Sequence, residues 1–165
     1  MRTRDNLIAG VLSGSSRQVI SALRKGANVN ARYRGRTILL WAIQEGHFNI
    51  MKSLVRAGAS LEARDSEGFT PLDQAVGEGN FEMVQFLLKA GANVNGRTCN
   101  GSPLHTACAW CRLKIVKILL AHEANPRALD EDGNTPADSI KPTGSRVSRA
   151  IHKLLKTVNS SCDKT

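Results

Sequence analysis

The chain has 165 residues, of which 41% are hydrophobic, and 23 Lys and Arg against 14 Asp and Glu give a formal net charge of +9. This length suffices for one shared core, and no apolar stretch is long enough to span a membrane, which argues against a membrane-embedded protein. The cysteines show no disulfide framework and indicate reduced thiols; they are Cys99, Cys108, Cys111 and Cys162. We therefore expect a monomeric cytoplasmic protein, with the nucleus or a host cell as alternative locations.

Glycines recur along the chain in two registers that share a spacing of 32 or 33 residues. The first register contains Gly35, Gly68, Gly101 and Gly133, and the second contains Gly26, Gly58 and Gly91, with Glu123 in the fourth place. A repeat of this length is a single supersecondary unit that cannot bury its own apolar face, so successive units must stack. The sequence predicts an all-α solenoid of helix-turn-helix units joined by hairpin-like loops.

The first two predicted units span residues 5–34 and 35–67. The first starts at Asp5, lacks a threonine-proline pair and carries Gln18 where inner units have apolar residues. These departures are expected for a terminal capping unit, because one of its sides faces solvent. The second has apolar residues at helical spacing between Phe48 and Val55, which predicts its second helix.

The unit over residues 68–100 has the fullest pattern. Thr70 can cap a helix by accepting a backbone N–H, and Pro71 fits the first helical turn. Gly79 should end this helix, and a second amphipathic helix should run from Phe81 to Leu88 before the glycine at position 91.

The last two units span residues 101–132 and 133–158, followed by a polar tail at 159–165. Apolar residues from Leu113 to Leu120 repeat the second-helix pattern. In the final unit, Thr135-Pro136 predicts a first helix, which an insertion at 141–145 lengthens and Pro142 ends early. We count three fuller repeats and two terminal capping repeats in a single domain over residues 1–158.

These motifs resemble the ankyrin-repeat family, whose unit reads roughly G-x-T-P-L-H-x-A-A-x-x-G-H, then a helix ending in L-L, then G-A-x-x-N. The matching positions in the third unit are Gly68, Thr70, Pro71, Leu72, Ala75, Gly79, Leu87, Leu88, Gly91, Ala92 and Asn95. The resemblance covers nearly the whole chain and implies a non-catalytic protein-protein interaction module. An adaptor or an inhibitor would hold an unidentified protein partner in a concave groove.

In ankyrin proteins the hairpin tips and the first helices line that groove, and the resemblance maps them onto this chain. The candidate partner-binding residues are Arg32, Tyr33, Arg34, Arg36, Glu45, Arg64, Glu67, Phe69, Glu78, Asn100 and Trp110. Trp110 is the strongest, because it stands where the other units have Glu45 and Glu78, and exposed tryptophans are common interface hot spots. The alternative is that Trp110 folds over a neighbouring repeat as peripheral core, whereas Trp41 is expected to pack inside.

Catalytic and metal-binding patterns are weak in this sequence. His105, Cys108 and Cys111 lie on one repeat helix with Cys99 before it, a set that a zinc or redox site would need. Each occupies a position with a structural role in the repeat, and the resemblance gives His105 a hydrogen-bonding role within the stack. Phosphate loops and nucleophile motifs are absent from the sequence. We therefore predict no enzyme activity, no cofactor and no metal.

Positive charge is concentrated at the two ends of the sequence. Residues 1–36 contain eight Lys or Arg and one acid, and residues 141–165 contain six and one. The middle is nearly balanced, apart from the acidic run Asp130–Asp132, which we expect to be a solvated loop tip. Solubilising charge on capping repeats is the simpler interpretation. The alternative function is electrostatic binding of nucleic acid or an anionic membrane through the basic ends.

Overall fold

The computed structural model describes residues 2–98, 101–141 and 145–162. The chain divides into two compact units, Met1–Ala92 and Asn93–Thr165. The expectation of a single domain with the unit boundaries given above stays a prediction.

The first compact unit is built from successive helix pairs with one short hairpin. Its elements are α1 (Arg2–Leu12), α2 (Ser16–Arg24), β1 (Arg32–Tyr33), β2 (Arg36–Thr37), α3 (Ile38–Gln44), α4 (Phe48–Arg56), α5 (Pro71–Glu78) and α6 (Phe81–Lys89). The two helices of each pair pack together, and α3 contacts the first helices of the preceding and following pairs, α1 and α5. The first helix begins at Arg2, three residues before the predicted start of the first repeat.

Local chemistry explains where α5 begins and ends. The Thr70 hydroxyl accepts from the Asp73 N–H, and the Asp73 carboxylate accepts from the Thr70 N–H at 3.0 Å, so both sides of the cap are satisfied. Pro71 occupies the first turn, where its missing N–H costs nothing. Gly79 takes a positive φ of 72° and stops the helix. These predicted positions are confirmed.

The core of the first unit comes from one apolar face of each helix. The inward residues of α5 and α6 are buried and include Leu72, Ala75, Met83, Val84 and Leu87. Complete burial of a side chain such as Leu72 contributes about 1.5–3 kcal/mol of transfer free energy. The rings of Phe48 and Phe86 meet edge to face at 6.0 Å, which joins α4 to α6.

The second compact unit contains α7 (Pro103–Ala109), α8 (Leu113–Ala121) and α9 (Arg146–Cys162). Helix α8 packs on both α7 and α9. An isolated bridge between Thr98 and Gly101 closes the hairpin that precedes α7. The buried residues on the three helices include Leu104, Ile115, Leu119, Ile151 and Leu155.

The final repeat differs from the prediction. The residues after Thr135 form a turn instead of an α-helix, held by hydrogen bonds from the Asp138 and Ser139 N–H groups to the Thr135 carbonyl. Pro142, which we expected to end a helix, lies outside the described residues. Helix α9 continues to Cys162, four residues beyond the predicted end of the last repeat at Val158.

The predicted all-α class and the helix-turn-helix repeat plan are confirmed. The described strands are limited to the two-residue pair β1 and β2. A search of the described helices finds none that is both long and apolar enough to cross a membrane.

Candidate partner-binding surface

The first hairpin carries an ordered cluster of aromatic and arginine side chains. Strands β1 and β2 pair Tyr33 with Arg36, which leaves Arg34 and Gly35 as a two-residue loop. The Arg34 guanidinium lies over the Tyr33 ring at 5.3 Å from its centre. Tyr33 contacts Trp41 at 5.9 Å between ring centres, and the Trp41 indole N–H donates to the Tyr33 carbonyl at 2.9 Å. Trp41 is half-buried and packs against the hairpin through these contacts with Tyr33.

Arg36 forms ion pairs with one buried carboxylate, that of Asp65, and one exposed carboxylate, that of Glu67. One guanidinium nitrogen lies 3.0 Å from Asp65 and 3.8 Å from Glu67, and the other donates to the Gln44 side-chain oxygen. The Asp65 side chain is fully buried and that of Arg36 is 21% exposed. Because a buried carboxylate needs a partner, Arg36 stabilises the neighbouring loop, and its charge is already matched.

The second hairpin loop is organised by the same aspartate. One oxygen of Asp65 accepts from the N–H groups of Glu67 and Phe69, each at 3.0 Å. Phe69 is half-buried and Glu67 is exposed. The loop therefore presents a fixed backbone with one charged and one aromatic side chain.

Arg32 and Arg64 are used to support hairpin backbones. Arg32 donates to the Gly35 carbonyl at 2.8 Å and to the Arg64 carbonyl at 2.9 Å. Arg64 donates to the Gly68 carbonyl at 2.8 Å. In the second unit, Arg97 donates in the same way to the Leu129 carbonyl, 32 residues later. Arg32 and Arg97 thus each link one hairpin to the next.

The two predicted glutamates lie at equivalent helix ends. Glu45 follows α3 and Glu78 is the last residue of α5, and both are exposed. The Gln74 amide donates to the Glu78 carboxylate at 2.8 Å. Both carboxylates are accessible to a partner.

Trp110 lies in the second unit, at the residue that follows α7. Its side chain is 64% exposed, the largest exposed fraction among the large apolar side chains of the described residues. The prediction of an exposed indole is therefore confirmed for this residue, although its role in binding stays a prediction. Asn100, the other candidate in this half of the chain, lies outside the described residues.

The acidic tip is a hairpin loop of the same type as the Asp65 loop. Asp130 accepts from the N–H groups of Asp132 and Asn134 at 3.0 and 2.8 Å. These hydrogen bonds, that from Asn134 first, hold the pKa of Asp130 below its usual value of 3.8. Glu131 and Asp132 are exposed, in agreement with a solvated tip.

His105 and Cys108 of α7 serve the interior of the second unit, whereas Cys111, expected on the same helix, lies two residues beyond its end and is half-buried. The Ser102 N–H donates to His105 Nδ1 at 3.0 Å, so the ring proton is on Nε2, which donates to the Asn134 carbonyl at 3.1 Å. This confirms the structural role implied for His105. Cys108 is buried, and burial raises its pKa to about 12. Among the described residues, which leave out Cys99, no group of three metal-ligating side chains is found.

Sequence reasoning missed Asp65 and the support given by Trp41. A signal for Asp65 was present, because Asp65 precedes Gly68 by three residues just as Asp130 precedes Gly133. The 32- or 33-residue spacing of Arg32, Arg64 and Arg97 likewise indicated a structural position. A repeated polar residue is evidence for repeat packing before it is evidence for a partner.

Two family models match these repeats. Residues 7–98 match a model described as ankyrin repeats (3 copies), and residues 104–139 match one described as ankyrin repeats (many copies). Together the matches run from the middle of α1 to the turn after Thr135, apart from residues 99–103.

Two proteins of Arabidopsis thaliana are similar to this chain. "Putative E3 ubiquitin-protein ligase XBAT35" is 38% identical over 122 residues, which is 70% of this chain and 26% of that protein. "Putative E3 ubiquitin-protein ligase XBAT34" is 38% identical over 119 residues, 69% of this chain and 32% of that protein. The chain thus spans between a quarter and a third of the length of these relatives.

Proposed function

Because the chain belongs to the ankyrin-repeat family, we propose that it is a non-catalytic adaptor or inhibitor that binds a partner protein through exposed side chains of its hairpin tips and helix ends. Ankyrin repeats are protein-interaction modules, and the variable residues on the shared scaffold set the partner. The two relatives are named as putative ubiquitin ligases, and such enzymes act on proteins. That likeness supports a protein as the ligand class.

The observation that carries this proposal is the exposure of Trp110. An indole that is 64% exposed leaves a large apolar surface in water. Burial of that surface by a partner would be favourable, and tryptophans at the centre of interfaces commonly dominate the binding energy. The equivalent helix ends carry the charged Glu45 and Glu78, so the repeat fold itself does not require an aromatic residue there.

The proposal includes a cell compartment and an oligomeric state. Cys108 and Cys111 are free thiols, which fits a reducing compartment such as the cytoplasm. We take the acting form to be a monomer, so that the tips and helix ends stay accessible. Sedimentation at equilibrium would contradict this if the chain associated at micromolar concentration.

A second candidate function is electrostatic binding of nucleic acid, and helix α9 favours it. Four cations are exposed along this helix, at Arg146, Arg149, Lys153 and Lys156. At 3.6 residues per turn they fall within an arc of about 80°. The helix contains no acid to neutralise them. A linear polyanion would match such a row of charges, and its affinity would fall steeply with salt.

One binding experiment separates the two functions. Proteins captured from native lysate by the immobilised chain are quantified for the wild type, Trp110→Ala and the matched variant Glu78→Ala. We expect Trp110→Ala to weaken capture about thirtyfold, the equivalent of about 2 kcal/mol, with Glu78→Ala unchanged. Because Trp110 is exposed, its variant should keep the thermal midpoint of the wild type.

The salt dependence of binding is the second measurement that separates the two functions. Protein capture should resist moderate salt, whereas duplex DNA bound by four phosphate contacts on α9 would show a log–log slope of about −3.6. Three results together would favour nucleic-acid binding over protein binding. Capture would be equal for the wild type and Trp110→Ala, DNA binding would show this salt slope, and the slope would be lost when the four α9 cations are replaced with glutamine. Binding to anionic vesicles without binding to DNA would instead identify a membrane surface as the target.

A further inference from the structure

Arg34 occupies a backbone position that does not suit arginine. Arg34 and Gly35 are the central residues of the hairpin loop, with φ values of 49° and 81°. Two positive φ angles in a two-residue loop define a type I′ turn, where Asn-Gly is the preferred pair. A larger L-residue in this left-handed region costs roughly 1–2 kcal/mol. The turn itself therefore gives no reason for arginine at position 34, and such strain is found most often at functional sites.

The neighbouring arginines bind carbonyl or carboxylate oxygens within the unit, whereas the guanidinium of Arg34 contacts an aromatic ring and has no carboxylate partner there. Arg32 donates to two backbone carbonyls, and Arg36 is paired with Asp65 and Glu67. Arg34 is exposed, and within the described part of the chain no carboxylate lies within 4.0 Å of its guanidinium. The alternating arginines of this hairpin thus divide into two structural residues and one whose charge is open to a partner.

The side chain of Arg34 is also held in place before any partner arrives. Its guanidinium lies over Tyr33, whose ring contacts Trp41 and whose carbonyl accepts from the Trp41 indole. A cation over an aromatic face is attracted by the ring, and fixing a long side chain in advance lowers the entropy cost of binding. The sequence that includes this hairpin is also basic, since residues 1–36 contain eight Lys or Arg and one acid.

We propose that Arg34, positioned by Tyr33 and Trp41, binds a carboxylate side chain of the partner protein. The proposal rests on the protein-binding function above and specifies its ligand chemistry: a glutamate or aspartate exposed on the partner. The planar guanidinium can donate two parallel hydrogen bonds to a carboxylate, a geometry that lysine cannot reproduce. The energy gained in this contact offsets the strain of the turn.

Arg34→Asn is an informative variant, because asparagine is preferred at this turn position. Peptides are selected from a random-peptide library on the full wild-type chain in about 150 mM salt, where long-range charge effects are screened. The selected peptides are then made with glutamate, and with glutamine in its place, and titrated against the wild type, Arg34→Asn and Arg34→Lys. Arg24→Gln, which removes an exposed cation of helix α2, is the charge-matched control.

We expect selection to enrich acidic residues and Arg34→Asn to weaken binding about tenfold or more, as loss of a charge-assisted hydrogen-bonded pair does. Arg34→Lys should be intermediate, Arg24→Gln should match the wild type, and the thermal midpoint of Arg34→Asn should equal or exceed that of the wild type. Replacing the peptide glutamate should have little further effect in Arg34→Asn.

Two outcomes would overturn the assignment of Arg34 and can be told apart from failure of the protein-binding function. Peptides without acidic residues, or equal affinity for the wild type and Arg34→Asn, would exclude a carboxylate contact at Arg34. If those same peptides were released by Trp110→Ala, the protein-binding function would stand and only the Arg34 assignment would fall. A library that yielded no binder would contradict both proposals.

Discussion

Helices α5 and α7 share the hydrogen bond donated by the N-cap N–H, but different side chains accept it. The Asp73 carboxylate accepts from the Thr70 N–H, and His105 Nδ1 accepts from the Ser102 N–H, each at 3.0 Å. His105 also uses its other nitrogen to donate to the Asn134 carbonyl in the next hairpin. A neutral imidazole therefore closes the cap and joins two repeats, whereas the carboxylate closes its cap locally and is costly to bury.

The ends of the same helices differ in a second way. Helix α5 ends at Glu78 with Gly79 at φ 72°, while α7 is followed by Trp110 and then Cys111 at φ 52°. The hydrogen bond across the corner is the same, since the Gly79 and Cys111 N–H groups donate to the carbonyls three residues earlier at 3.0 and 2.9 Å. At this corner the repeat that contains α7 keeps the backbone conformation of the repeat that contains α5, but it places a β-carbon where glycine fits best.

Removing the two capping side chains should have the largest effect on stability, and an unequal one. His105→Ala should lower the free energy of unfolding by about 2–4 kcal/mol, because it leaves buried polar groups unpaired and breaks the contact between repeats. Asp73→Ala should cost only about 1–2 kcal/mol, since it removes a cap but also removes a buried charge. Urea unfolding of the purified variants measures both values.

His105→Gln distinguishes the two roles of the histidine. Glutamine at this position can still accept from the cap N–H but lacks the fixed reach of the imidazole to Asn134. We expect its unfolding free energy to fall between those of the wild type and His105→Ala. If Asp73→Ala were as destabilising as His105→Ala, the contact between repeats would contribute little.

The pH dependence of stability should differ between the two Thr-Pro-x-Asp boxes. Burial raises the pKa of Asp73 above 3.8, against the opposing effect of the Thr70 hydrogen bonds. In the exposed box of the last repeat, hydrogen bonds from Thr135 lower the pKa of Asp138. Ionisation of the buried Asp73 carboxyl should therefore lower the free energy of unfolding as the pH rises from 3.8 through the raised pKa. The ionised Asp138 carboxylate should stabilise the fold, and this contribution to the free energy of unfolding is fully present above pH 3.8 and is lost as the pH falls through the lowered pKa.

Carbon NMR titration of the two carboxyl groups checks the directions, and unfolding from acid to neutral pH checks the consequence. Asp73→Asn should remove a loss of stability that the wild type shows on raising the pH, and Asp138→Asn should remove a loss shown on lowering it. The opposite sign for Asp73 would mean that the Thr70 hydrogen bonds outweigh desolvation at this site.

The fold could be predicted because its signals are local. Thr70, Pro71 and Gly79 each act on the backbone within one or two turns, so their residue types alone locate α5. The turn after Thr135 shows the limit of this reasoning. Thr135, Pro136 and Asp138 repeat the residues that start α5, yet they are followed by a turn, because a cap residue does not by itself sustain a helix.

The candidate site was less predictable because its contacts span a whole repeat. The acceptor of the Arg32 guanidinium is a backbone carbonyl 32 residues away, and no property of Arg32 alone separates it from Arg34. Burial of Asp65 beside Arg36 likewise depends on how two hairpins approach each other. Arg32 and Arg34 are both exposed, so the hydrogen-bond partners of the guanidinium, and not its exposure, distinguish an arginine that supports the fold from one that can meet a partner. Those partners are set only in the folded chain.

Exchanging the residues at the two helix corners should give the smallest effect, with opposite signs. Cys111→Gly should stabilise the protein by about 0.5 kcal/mol, because relief of the left-handed strain exceeds the entropy cost of glycine. Gly79→Ala should destabilise it by about 1 kcal/mol for the converse reason. Cys111→Ala keeps the strained β-carbon and removes the thiol, so its unfolding free energy should stay close to that of the wild type. If Cys111→Ala and Cys111→Gly were equally stabilising, the thiol and not the backbone would be the source of the strain.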